Sequence, residues 1–287
     1  MTQVLSVIGY LLLAPFAGGL LDGAGRIVSA RMQGRKGPPL LQPFYDIWKL
    51  FTKQMFAVNS VQLLLNLSYL VFLAVAGCML FAGADILMCL FILTTADMFL
   101  IMAASSDSSP YSTLGAGREM IQMMAYEPLT LLMAVGFYLA TGSFHVGTII
   151  TSEYSAVLFL PGMLVGFFFI TAIKLRKSPF DLSTSHHAHQ EMVKGITTEM
   201  AGPTFAIMNV AEYYEMVLML GLVAIFFINR NWWSWPIAIA ACLFVYFLEI
   251  LWDNVCCRVK WKTLLGSCWI VTLLSGGLNL LILMLIR

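Results

Sequence analysis

Apolar residues run along this chain in stretches long enough to cross a bilayer, separated by short polar connections. About 20 residues of helix, each rising about 1.5 Å, span the hydrocarbon. Charge-free runs of that size predict helices near Val4 to Leu21, Val61 to Phe81, Val157 to Ile173 and Thr263 to Ile286. Four more follow where single acids interrupt the pattern. These are Ile86 to Ala104 around Asp97, Met120 to Thr141 around Glu127, Thr204 to Ile228 around Glu212 and Glu215, and Trp232 to Trp252 around Glu249. The turn Ala82-Gly83-Ala84-Asp85 divides a run too long for one crossing. The expected fold is all-α: a polytopic membrane protein with about eight transmembrane helices, residues 1–287 forming a single integral membrane domain.

The connection 22–60 carries a different period. Leu40, Leu41, Phe44, Ile47, Trp48, Phe51 and Met55 recur at helical spacing, with Gln42, Asp46, Lys49 and Lys53 opposite them. Such an amphipathic helix lies along the membrane interface, lysines near lipid phosphates. It serves either as an anchor or as the floor of a docking surface for a soluble partner.

Composition narrows the class. The chain is 60% hydrophobic and 11% charged, with no room for a soluble domain between its apolar runs. A net charge of +1 gives no argument for nucleic acid. Six cysteines form no CxxC pair and no His/Cys ligand spacing, so no metal or iron-sulfur site is expected on this chain. Met1 to Leu21 lacks a basic leader and a small-residue cleavage site, and reads as a retained span. Fourteen Lys and Arg residues fall on alternate connections, against Arg230 and Arg287 on the other side. By the positive-inside rule those connections are cytoplasmic and both termini lie outside.

Charge then moves from the loops to the spans. An ionisable side chain at membrane depth is expensive and is by default a hypothesis about an ion or proton path. Asp97, Glu127, Glu212, Glu215 and Glu249 are placed by this topology at roughly 5 to 16 Å from the cytoplasmic ends of their helices. The outer half offers no comparable carboxylate, since Asp85 and Glu153 fall in outer connections. Glu212 and Glu215 share one helical face. Two structural alternatives stand beside the path reading: Glu127 as the cap of a polar helix end near Arg118, and Glu249 as an ion pair with Arg258. Arg118 is expected to partner a buried acid.

The connection 174–203 is long for a compact domain and polar, with Lys174, Arg176, Lys177, Asp181, His186, His187, His189, Glu191, Lys194 and Glu199. The histidine run is read as a proton relay or as partners for nearby carboxylates rather than as a metal site, because imidazole changes charge near neutral pH. This loop leads directly into the helix of Glu212 and Glu215.

Several motifs combine into a resemblance. Met32-Gln33-Gly34-Arg35-Lys36-Gly37-Pro38, followed by Leu41-Gln42-Pro43, Asp46 and Lys49-Leu50, resembles the first loop of respiratory complex I subunit 1. Arg118, Gln122, Tyr126 and Glu127 resemble its fourth helix, Pro179-Phe180-Asp181-Leu182 its central loop, and Glu199 with Ala211-Glu212-Tyr213 continue the likeness. Departures from quinone-reducing members fall around the expected quinone chamber. The first loop is shorter, Lys174 stands where those members carry Glu, and the acidic stretch becomes Ser183-Thr184-Ser185-His186-His187-Ala188-His189-Gln190-Glu191. The pattern is more similar to the membrane subunit of energy-converting, Ech-type [NiFe] hydrogenases.

This resemblance implies a non-redox, ion-translocating subunit in a prokaryotic cytoplasmic membrane. It couples ferredoxin-linked electron transfer to H+ or Na+ movement. Iron-sulfur clusters and the [NiFe] centre are then expected in partners: hydrogenase large and small subunits, an iron-sulfur subunit and an antiporter-like membrane subunit. The docking residues would be Arg31, Arg35, Asp46 and Lys49, on cytoplasmic loops 22–60 and 174–203. The alternatives are a quinone-site subunit of a complex I type NADH dehydrogenase and, more distantly, a stand-alone secondary transporter.

Overall fold

Helices form where the apolar runs predict them, and the polar residues that punctuate those runs mark their ends. The computed structural model describes residues 2–54, 59–184 and 193–286. Among these, the helices are α1 (Thr2–Met32), α2 (Gln42–Thr52), α3 (Ser60–Phe81), α4 (Ile86–Ser105), α5 (Pro110–Thr141), α6 (Val146–Ile150), α7 (Pro161–Lys174), α8 (Pro203–Phe227), α9 (Ser234–Val255), α10 (Trp261–Val271) and α11 (Leu278–Ile286). A short π-helical stretch, Thr272–Gly277, joins the last two into one continuous rod. Asn59 caps α3 by accepting from the Val61 and Gln62 amides, Asp85 caps α4 in the same way, and Gly142 closes α5 in a left-handed conformation.

Seven helices among the described residues are long and apolar enough to cross a membrane. The fifth of the eight expected spans, Val157 to Ile173, is realised differently. It becomes a 3-10 turn, Ala156–Leu158, followed by the 14-residue α7. At about 1.5 Å per residue α7 is roughly 21 Å long, short of the roughly 30 Å hydrocarbon. Its start is fixed by Asn279, whose side-chain oxygen accepts from the Gly162 and Met163 amides at 2.7 and 3.2 Å. Its other end, Lys174, stops inside the bundle with 6% of its surface exposed.

Other boundaries also differ from the sequence reading. Helix α1 continues through Asp22, Arg26 and Arg31, so these residues stand on its extension rather than in a loop. Helix α5 starts at Pro110 rather than near Met120, because Ser109-Pro110 gives a helix start with Pro in the first turn. Arg118 and Glu119 are therefore helical, and Glu127 sits well inside α5, which removes the helix-end cap as its explanation.

The core lies among α3, α4, α5, α7 and α8, with Tyr69, Leu73, Leu100, Met133, Phe137, Phe167 and Phe226 almost fully buried. The four basic connections meet at one end of the bundle. There Arg26 reaches Asp46, Ser29 reaches Asn254, Arg176 reaches Glu119, and Lys177 lies near Asp253. Helix α2 rests on this end with Pro43 buried and Phe44 against Gly19, leaving Tyr45, Trp48 and Phe51 exposed. Met55, expected on its apolar side, lies outside the described residues.

Candidate functional site

The described parts of the 174–203 connection tuck into the basic end instead of lying across it. Phe180, Leu182, Ile196 and Met200 join the hydrophobic core. Buried backbone must find hydrogen-bond partners, and side chains from neighbouring helices supply them. Gln122 donates to the Phe180 carbonyl at 2.6 Å, Arg118 to that of Leu182 at 3.5 Å, and Arg258 to those of Asp181 and Leu182 at 2.6 and 3.3 Å. The two ends of the segment close on each other where the Ile196 amide donates to the Ser183 carbonyl at 3.1 Å. Gly115 makes this possible: a Cβ there would lie 2.5 Å from the Ile196 nitrogen.

At the root of this loop two cations stand two residues apart, each between two carboxylates. The deeper is Lys174. Its ammonium pairs with Asp97 on α4 and, at 3.0 Å, with Glu215 on α8. Tyrosine hydroxyls complete the set, Tyr126 donating to Asp97 at 2.7 Å and Tyr69 to Glu215 at 3.0 Å. Lys174, Asp97 and Glu215 are each at most 6% exposed. The shallower cation is Arg176. It reaches Glu119 on α5 at 3.1 Å and Glu212 on α8 at 2.8 Å. Burial works against the guanidinium charge, but Glu119, then Tyr69 and Glu212, outweigh it and hold its pKa well above the ordinary value. Because Glu212 and Glu215 are three residues apart on α8, the two layers form one ladder of alternating charge.

Several expectations are relocated by this geometry. Lys174 is not a loop residue but the buried end of α7. Glu212 faces Arg176, with its neighbour Glu215 turned deeper. Glu127 is half-buried and, among the described residues, its carboxylate makes no hydrogen bond or ion pair. Glu249 does not pair with Arg258. That arginine lies 3.5 Å from Asp181, while both Glu249 carboxyl oxygens are buried without a hydrogen-bond partner among the described residues. Asp181 is buried and Glu199 is exposed, so of the two only Asp181 belongs to the packed part of the loop. His186, His187, His189 and Glu191 lie outside the described residues. Of the docking set, Arg31, Arg35 and Lys49 are exposed, whereas Asp46 turns inward to Arg26 at 2.8 Å and Gln42 at 3.1 Å.

Four participants escaped the sequence reading: Tyr69, Tyr126 as the partner of Asp97, Glu119, and Arg176 as a bridge between acids. Glu119 was legible in principle, since the Ser109-Pro110 start extends α5 over it. Tyr69 carries no signal in a run of apolar residues. No grouping of His, Cys, Asp and Glu suited to a metal ion occurs among the described residues.

Comparison with known proteins gives a consistent outline. The family model described as NADH dehydrogenase matches residues 4–284. NADH-ubiquinone oxidoreductase chain 1 of Pongo pygmaeus is 30% identical over 219 residues, covering 69% of this chain and 68% of that one. An NADH-quinone oxidoreductase subunit of Rhodospirillum rubrum is 29% identical over 300 residues, covering 90% and 88%. Hydrogenase-4 component C of Escherichia coli is 29% identical over 223 residues, covering 72% and 70%. Among solved structures, a chain of the membrane-bound sulfane sulfur reductase, an archaeal respiratory membrane complex, superposes with a TM-score of 0.85. It covers 97% of this chain and all of that one at 18% identity, a likeness of fold.

Proposed function

The chain belongs to the NADH dehydrogenase family that includes NADH-ubiquinone oxidoreductase chain 1, and from that premise we propose that its two-layer charge ladder couples electron transfer in a soluble arm to ion movement through the membrane. It is a multi-pass membrane subunit of a complex I-like respiratory or energy-converting assembly. The observation that carries the proposal is the position of Lys174 and Arg176. Both cations sit at the root of one loop, and their four carboxylate partners sit on three other helices.

Coupling follows from electrostatics. A cation beside a carboxylate favours its ionised form, and withdrawing that cation favours uptake of a proton or another cation. Breaking a buried ion pair costs about 3–5 kcal/mol, so a loop shift that separates either cation from its acids changes their ion affinity substantially. A partner that pulls on the packed segment around Asp181 moves Arg176 and Lys174 with it. Glu127, half-buried and unpaired among the described residues, is suited to pass the ion to a neighbouring membrane subunit.

The partners we propose are hydrogenase large and small subunits, an iron-sulfur subunit and an antiporter-like subunit, with iron-sulfur clusters and a [NiFe] centre in those chains and none on this one. The likeness to hydrogenase-4 component C and the lysine at position 174 support this reading. The broad coverage of the Rhodospirillum rubrum relative supports the second, a quinone-site subunit. Purifying the intact complex and identifying its metals and companions separates the two. The coupling role is tested by Glu212→Gln and Glu127→Gln in that complex: ion translocation is expected to stop while electron transfer with an artificial donor continues. Unchanged translocation in both variants rejects it.

A further inference from the structure

Glu249 takes no part in either layer of the ladder. It lies on the inner face of α9 with none of its surface exposed, and neither carboxyl oxygen has a hydrogen-bond partner among the described residues. Such groups are rare in folded proteins and call for an explanation. One helical turn nearer the basic end, on the same face, stands Asp253. Its carboxylate accepts from the Ser178 amide at 2.8 Å and lies 3.8 Å from the Lys177 ammonium.

Asp253 and Ile250 line a cavity of ≈ 380 Å³ between α9, the extension of α1 and the first loop, with Asp22, Arg26, Arg35 and Lys177 among its walls. A water occupies about 30 Å³ of liquid, so a polar space of this size holds several. Glu249 lies about 6 Å along the helix below Asp253. Helix α9 also packs against α8, the helix of Glu212 and Glu215. Met216 and Leu220 of α8 and Leu175, next to Lys174, share one apolar cluster with Tyr246 and Ile250.

We infer that Glu249 is a proton-binding site filled from this cavity through Asp253, a second inlet toward the charge ladder. The proton moves from cavity water to the Asp253 carboxylate and then, across an intervening water, to that of Glu249. Only O–H bonds form and break. A metal cation would need several oxygen ligands around it, whereas no other polar atom of the described residues bonds to the Glu249 carboxylate and a proton needs only the carboxyl oxygen. The inference rests on the coupling role proposed for the ladder, and its test separates the two.

The intact complex is reconstituted in vesicles carrying Glu249→Gln, Glu249→Leu, Glu249→Asp or Asp253→Asn, with Lys174→Gln alongside. Proton translocation is read against electron transfer with an artificial donor, and infrared difference spectra during turnover record carboxylic C=O bands. Loss of a positioned proton carrier slows transfer by about 100-fold, so Glu249→Gln and Glu249→Leu are expected to slow translocation by that order with electron transfer retained. Both should lose one carboxylic band that wild type displays. Asp253→Asn is expected to slow its appearance, and Glu249→Asp to keep translocation. The leucine variant removes the orphaned polar group and is expected to assemble at least as well as wild type, so loss of folding does not mimic the result. Wild-type translocation in Glu249→Leu, with Lys174→Gln uncoupled, overturns this inlet alone. Wild-type translocation in both overturns the coupling role as well.

Discussion

At the scale of single residues, Lys174 carries the most. A buried ammonium between two carboxylates bonds both and offsets one of their two negative charges, so its removal leaves both acids in a low-dielectric core without their bonded cation. Lys174→Met is expected to destabilise the folded subunit by about 3–5 kcal/mol, measured as a lower thermal midpoint of the purified complex. Adding Asp97→Asn and Glu215→Gln to the same chain should recover most of that loss, because no charge then remains to be satisfied. Arg176 does a different job. Its fork reaches Glu119 and Glu212 from separate nitrogens, a geometry that a single ammonium does not reproduce. Arg176→Lys should therefore keep the charge and still weaken coupling by about tenfold, the loss of one charge-assisted hydrogen bond. A ratio of ions moved to electrons transferred equal to wild type would count against that role.

Among elements, the short α7 and the segment after it decide where the cations sit. Asn279 fixes one end of α7, and the ladder holds the other. Beyond it, the chain bends into the bundle because Gly115 leaves room for Gly195 and Ile196, and Gly195 itself takes a left-handed φ of +63°. Gly115→Val should push this segment outward. Its amide-to-carbonyl link, Ile196 to Ser183, would then open, and hydrogen exchange at Ile196 should quicken by about tenfold. Exchange at the wild-type rate would mean that the packed segment does not depend on that close approach. The helices of this chain were legible from hydropathy, and the acids inside them from their cost. The depth of Lys174 was not, because a lysine beside a polar loop reads as solvated unless the helix is known to end early.

For the molecule as a whole, we propose the basic end as the surface offered to partners. Arg31 and Lys49 are exposed there, while Asp46 is engaged with Arg26 inside the chain. The double variant Arg31→Glu, Lys49→Glu is expected to weaken association with the soluble arm by about fivefold to tenfold, an effect that shrinks as salt rises. Salt-independent loss in a binding titration would point to misfolding instead. Asp46→Asn, by contrast, should loosen α2 from α1 without a comparable change in docking. What the sequence alone determined is the all-α membrane class, the clustering of basic residues toward one end of the bundle and the presence of costly acids within the spans, since each depends on local composition and a fixed rise per residue. Which acid meets which cation was decided by the tertiary structure alone: Lys174 joins α4 to α8 across 77 and 41 positions of chain, and pairings at that separation follow from how helices pack, not from any spacing along the sequence.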